Sequence, residues 1–273
     1  MSFDFKYQKI IYRIIFYCKM IKLKDEQDFI VAYCVCDKEK MPEELVSSLE
    51  SIKRFIDRKN IVVFYTPPKS QKNYDIFNKY AVVKEVDNVT PPFKYLKKRP
   101  PSRFGEIIGH FDKISSPNLF ILDCDTIIKK DITEMLEDDY DVAFRPDTMW
   151  EFVDKQKWEN IFVEYNKKPI PIPNKGFMIF KNNTHKKIKN DCMKYLNSDI
   201  PEIWQNSYQK DQYALALALS DYKVKLLDKT GHAYHWMSEY NVDSYILHGR
   251  PRNRLLRELQ TFVWKVKHGK FIS

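Results

Sequence analysis

A chain of 273 residues is long enough to bury a sizeable core as one α/β domain, and its excess of 46 Lys and Arg over 37 Asp and Glu, a formal charge of +9, favours anionic partners such as nucleotides, nucleic acid or acidic lipid. The five cysteines are odd in number and show no C-x-x-C spacing, which argues against a disulfide framework or a zinc ribbon and points to a reducing, cytoplasmic setting. No apolar run approaches the roughly 20 residues needed to cross a bilayer, so the expectation is a protein that is soluble or attached to a membrane surface.

In chain order, Ile10, Ile11, Ile14, Cys18 and Ile21 recur at helical spacing, with Lys6, Lys9, Arg13 and Lys24 on the opposite side. That pattern predicts a basic amphipathic helix over residues 1–27. A continuous apolar run from Phe29 to Val35 then reads as a buried strand, and Met41-Pro42-Glu43-Glu44-Leu45 as the start of a helix with proline in its first turn. The alternation continues with strands at 61–65 and 81–83, helices near 74–80 and 102–114, and a strand at 118–122. Beyond it come strands at 141–144, 176–180 and 223–227 and helices at 184–196 and 209–220. Such alternation implies an α/β fold with a mixed, mostly parallel central sheet covered by helices on both faces, here over residues 28–250. Leu255, Leu256, Leu259, Phe262, Val263 and Val266 form a second apolar stripe, opposite Arg254, Arg257 and Lys265, in a basic amphipathic helix over 251–273. Both terminal stripes suit either packing on the domain or its homodimer, or adsorption to an anionic membrane surface.

In open α/β sheets ligands sit beyond the carboxyl ends of the strands, and Asp123-Cys124-Asp125 follows directly on the apolar run Asn118 to Leu122. On an extended backbone residues i and i+2 point to the same side, so the two carboxylates can share a divalent cation, Mn²⁺ or Mg²⁺, with the oxygens of a diphosphate. The alternative for Asp123 is a cap on the following turn.

The segment Phe120 to Ile128, with Asp131-Ile132 after it, resembles the D-x-D region of GT-A-fold glycosyltransferases, with the nearest likeness to family 8. The resemblance implies a Rossmann-like nucleotide-diphospho-sugar transferase fold and a retaining transfer from a nucleotide sugar, commonly a UDP-sugar, to a glycan, protein or lipid-linked acceptor. It also implies Mn²⁺ held by the D-x-D carboxylates and a late histidine.

Further segments match in order. Arg103 stands where the family carries a basic residue near the donor phosphates, and its alternative is a solvated helical arginine. Asn174-Lys175-Gly176 resembles the Asn-x-Gly turn in which asparagine contacts the donor sugar and glycine admits the backbone, although Lys175 replaces the usual small residue. Asp211-Gln212 resembles the segment that faces the anomeric carbon and supplies the catalytic candidates, while Tyr213 and Ala216 depart from the family pattern. His248-Gly249 matches the late metal-binding histidine, with Arg250, Arg252 and Arg254 as candidate diphosphate contacts in place of the usual lysine. The implied site is therefore Asp123, Asp125 and His248 for metal, Arg103, Asp123, Asn174, Gly176, His248, Gly249 and Arg250 for donor, and Asp211 and Gln212 for catalysis.

His232-Ala233-Tyr234-His235 lacks a cysteine or acid at convincing zinc spacing, which leaves both histidines as ordinary or acceptor-facing residues. If the reaction inverts, Asp211 and Glu239 are the candidate carboxylate bases. A nucleotidyltransferase would need a glycine-rich basic loop after the first strand, and Cys36 to Lys40 contains no glycine. A nucleic-acid-binding module is the remaining rival, but no recognised RNA-binding motif is present, and nucleic acid is not an expected partner.

Overall fold

A computed structural model of the chain describes residues 28–38, 40–87, 107–197, 210–237 and 239–249. The amphipathic stripes of 1–27 and 251–273, together with Arg103 and Arg250, lie outside these residues.

The first strand, β1 (Phe29–Val35), leads into α1 (Met41–Ile52), which carries proline in its first turn. Then come β2 (Ile61–Tyr65), α2 (Gln71–Phe77) and β3 (Val82–Glu85). The Ser70 hydroxyl caps α2 by accepting from the Asn73 amide at 3.3 Å, a typical use of serine at a helix start. Next are β4 (Asn118–Leu122), the short β5 (Thr126–Ile128) and β6 (Val142–Pro146). Helix α3 (Lys155–Glu164), capped by Asp154, precedes β7 (Pro173–Phe180), α4 (Thr184–Asn197) and α5 (Lys210–Leu219). Three short strands follow: β8 (Val224–Leu226), β9 (His232–Tyr234) and β10 (Ile246–His248).

Among the described residues, seven strands form one sheet in the order β3-β2-β1-β4-β7-β6-β8, and β5, β10 and β9 form a second. The large sheet is parallel except at β7, which runs antiparallel to both β4 and β6. This reversal positions the site. The beginning of β7 lies at the same sheet edge as the ends of β4 and β6, with Leu122 opposite Phe177 and Pro146 opposite Pro173.

Strand periodicity distributes the core over both faces of the sheet. Ile30, Ala32 and Cys34 of β1, Leu119 and Ile121 of β4, and Met178 and Phe180 of β7 pack with α3, α4 and α5. Their neighbours Val31, Tyr33, Phe120, Leu122, Phe177 and Ile179 pack with α1 and Phe77 on the other face. Leu45, Leu49 and Ile52 of α1 are fully buried there, each worth about 2 kcal/mol of transfer free energy. Helix α5 is buried continuously from Ala214 to Leu219, as expected of a helix that is apolar all round. Among the described residues no helix is long and apolar enough to cross a membrane.

Candidate metal and donor-sugar site

Residues 123–125 form a turn between β4 and β5, and do not continue the strand as the spacing argument assumed. The turn is closed by the backbone carbonyl of Asp123, which accepts from the Thr126 amide at 3.3 Å and from the Thr126 hydroxyl at 2.8 Å. A buried hydroxyl chain supports it, with Ser48 3.0 Å from Thr126 and Tyr33 2.9 Å from Ser48. Each hydroxyl has one proton. Because Thr126 donates to Asp123, Ser48 donates to Thr126 and Tyr33 to Ser48. Burial raises the Tyr33 pKa and keeps its phenol protonated for that task.

The turn aims both carboxylates at the end of β10. Ligand atoms of Asp123, Asp125 and His248 all lie within 4.8 Å of one another. Nε2 of His248 is 3.3 Å from Asp125 Oδ1 and 3.6 Å from Asp123 Oδ2. Adjacent vertices of an octahedron around a small divalent ion are roughly 3 Å apart, a spacing that the two His248–carboxylate distances approach. Two hard oxygens and one imidazole nitrogen suit Mn²⁺ better than Mg²⁺, which strongly prefers oxygen ligands and water.

Two glycines make the approach possible. Gly249 adopts φ 82°, in the left-handed region, and its amide donates to the Asp125 carbonyl at 2.9 Å, tying the end of β10 to the turn. The His248 ring lies directly over Gly176, whose carbonyl accepts from the Asp123 amide at 2.9 Å.

Electrostatics follow from this packing. Burial alone would depress the His248 pKa, but the hydrogen bond and charge of Asp125, with the charges of Asp123 and Asp147, outweigh it and raise the value. His232 is fully buried without such compensation. Its pKa falls well below the ordinary 6.5, through burial first and then the charges of His248 and Arg145.

Beside this cluster, at the start of β7, Asn174 donates to Asp147 Oδ2 at 3.0 Å and accepts from the Gly176 amide at 2.9 Å. Gln212, in the first turn of α5, donates to the same Asp147 oxygen at 3.0 Å and to the Pro173 carbonyl at 2.9 Å. Lys175 forms an ion pair with Asp211 at 2.7 Å. Asn174, Gly176, Asp211, Gln212, Asp123, Asp125, His248 and Gly249 therefore gather at one sheet edge.

Sequence reasoning missed Asp147, which follows β6 and joins Asn174 to Gln212, and it read His232 as an ordinary or acceptor-facing residue. In the structure His232 Nε2 is 3.2 Å from His248 Nδ1. Glu239, considered as an inverting base, has its carboxylate committed elsewhere: it receives Arg145 in bidentate contact at 2.6 and 2.9 Å and the Tyr234 amide at 2.7 Å.

By sequence the chain matches no family model and no curated protein. In structure it is similar to several glycosyltransferases. The apo bifunctional glycosyltransferase WbbM aligns with TM-score 0.59 and 14% identity, covering 85% of this chain and 47% of that one. The galactosyltransferase LgtC in complex with donor and acceptor sugar analogs gives TM-score 0.55 and 12% identity, covering 90% of this chain and 97% of that one. Mouse xyloside xylosyltransferase 1 in its apo form gives 0.51 and 13%, with 82% and 98% covered. This chain thus spans about half the length of WbbM and nearly the full length of the other two. The fold is the GT-A glycosyltransferase fold expected from the D-x-D region.

Proposed function

We propose that the chain is a metal-dependent glycosyltransferase that moves a sugar from a nucleotide-sugar donor, on the family likeness a UDP-sugar, to a glycan, protein or lipid-linked acceptor. The observation that carries this reading is the convergence of Asp123, Asp125 and His248 at the carboxyl edge of a GT-A sheet.

In this reading Asp123, Asp125 and His248 hold Mn²⁺. When bound, the ion supplies Lewis-acid stabilisation for the charge that develops on the departing diphosphate. The protein's own groups do the positioning. Asn174 and Gln212, both anchored by Asp147, present amide groups to the donor sugar. Gly176 leaves the β7 backbone open to close approach. Asp211 faces the sugar from the N-terminal turn of α5, and its pairing with Lys175 keeps the pocket's charge from accumulating against an anionic donor. Arg103 and Arg250 complete the reading as diphosphate contacts on sequence grounds alone. Retention at the anomeric carbon rests on the family likeness alone. A cytoplasmic location, with the basic terminal stripes meeting an anionic membrane or a second copy of the chain, belongs to the same proposal and rests on sequence pattern.

The test is release of nucleotide from a panel of UDP-, GDP- and CMP-sugars, with and without Mn²⁺, by the natural protein and by Asp125→Ala. Metal-dependent turnover of one donor, lost in the variant, is the expected result. Absence of both turnover and metal-assisted nucleotide binding would overturn the assignment.

A further inference from the structure

The His232 side chain lies wholly inside the protein, one strand away from the candidate metal ligands. Its Nε2 is 3.2 Å from Nδ1 of His248. The ring planes differ by only 17° with centroids 5.2 Å apart, so the two imidazoles lie nearly parallel. Its carbonyl accepts from Arg145 at 2.6 Å, and its amide donates to the Asp228 carbonyl at 3.0 Å. Phe177 meets the ring edge-on at a centroid distance of 5.7 Å, and Tyr234 packs against it at 4.8 Å. The orientation of His232 is thus determined from several sides.

This arrangement has a chemical cost that packing alone does not explain. Nδ1 of His232 has no hydrogen-bond partner among the described residues. Enclosing an unmet donor is unfavourable, and a phenylalanine would fill the same aromatic pocket without it. The compensation is on the other nitrogen.

We propose that His232 is a positioning residue for the metal site: when a cation is bound it accepts a hydrogen bond from Nδ1 of His248 and thereby holds that imidazole with Nε2 facing Asp123 and Asp125. Proton placement in the metal-bound state follows from ligation. For Nε2 of His248 to bind a cation it must be bare, so Nδ1 carries the hydrogen, and that hydrogen points at His232 Nε2. His232 then bears its own hydrogen on Nδ1, the unmatched atom. Ligating histidines usually donate to a carboxylate or a carbonyl. Here the acceptor is a neutral imidazole, which orients the ligand without adding a third negative charge beside Asp123 and Asp125. The inference rests on the metal site proposed above.

Two measurements on the full chain test it separately from that reading. In the metal-free protein ¹⁵N–¹H NMR should show a hydrogen-bonded proton between His248 Nδ1 and His232 Nε2, and on saturation with diamagnetic Mg²⁺ that proton should sit on His248 Nδ1. His232→Phe should remove this hydrogen-bonded His248 tautomer signal, and His232→Gln, whose side-chain oxygen can accept the same hydrogen, should restore it in the metal-bound protein. Mn²⁺ titration followed by electron paramagnetic resonance should then give a roughly 10–100-fold weaker Kd for His232→Phe, largely recovered in His232→Gln. An unchanged His248 signal in His232→Phe would overturn the proposal whatever the metal does. If the natural protein binds no Mn²⁺ while the hydrogen-bonded proton responds as expected, the metal reading fails and the positioning of His248 by His232 stands.

Discussion

A methyl group on Gly176 would lie 1.9 Å from Cε1 of His248 and 2.4 Å from its Nδ1. The imidazole that completes the cluster therefore occupies the volume of the side chain that residue 176 does not have. The ring cannot yield easily, because His232 holds one edge and the two carboxylates face the other.

Gly176→Ala should accordingly displace His248 from Asp123 and Asp125. We expect loss of Mn²⁺-dependent turnover and a stability penalty of about 1–3 kcal/mol from overpacking. Mn²⁺ titration and thermal denaturation check this, and an unaltered metal affinity in the variant would contradict it.

His248 also predicts a pH dependence for the metal-free protein. Its pKa is raised above the ordinary 6.5 by Asp125 and Asp123 against the effect of burial, so its contribution to stability is complete below 6.5 and is lost as pH rises through the folded-state value. His232 acts in the opposite sense, with a depressed pKa that costs stability only as pH falls below 6.5. Above about pH 7 His232 is neutral in both states and the His248 effect stands alone. The Tm of metal-free protein minus that of His248→Asn should shrink as pH rises above 7. While His248 is still protonated Mn²⁺ affinity should increase with pH by up to about tenfold per unit, because the ion displaces one proton. A flat Tm difference would remove the imidazolium–carboxylate contact from the account.

Asp147→Ala should act on the donor and leave the metal in place. Its Oδ2 accepts from both Asn174 and Gln212. Gln212 keeps its bond to Pro173, whereas the buried Asn174 amide loses its acceptor, at a cost of about 1–3 kcal/mol. We expect kcat/KM for the nucleotide sugar to fall at least tenfold with Mn²⁺ affinity nearly unchanged. Equal donor kinetics in variant and natural protein would detach Asp147 from the sugar site.

Glu239→Ala tests structure against chemistry. Removing the carboxylate leaves Arg145 charged and half-buried between Tyr234 and the His232 carbonyl, a loss on the order of 3 kcal/mol that thermal denaturation would report. Folded variant protein should retain most of its kcat. A large drop in kcat with an unchanged Tm would instead make Glu239 the base of an inverting reaction.

The outline of this site was legible wherever the signal was local. An apolar run ending in Asp-x-Asp announces a strand delivering carboxylates to a sheet edge, and Phe29 to Val35 and Asn118 to Leu122 became the central parallel strands β1 and β4. What escaped was set by distant partners. The reversal of β7 leaves no mark on its own apolar pattern, since a strand buried on both faces reads alike in either direction. Strands of three residues, as in β5, β9 and β10, are too short for periodicity and exist through pairing with one another. Lys175 looked like a departure from the family pattern until Asp211 appeared beside it. The roles of Asp147 and His232 depend on contacts 27 and 65 residues away for the first and 16 for the second.

The bond from the Gly249 amide to the Asp125 carbonyl also bears on how the protein is made. The carboxylate turn is synthesised more than a hundred residues before the strand that supplies its histidine. A growing chain can build the parallel strands and seat β7 against β4, yet it lacks a complete cation site until β10 threads between β5 and β9. On the proposed metal reading, ion capture is a late event in biogenesis, one that rewards only chains whose two sheets have already joined, and a divalent cation in the medium should slow release of β10 more than it slows collapse of the large sheet.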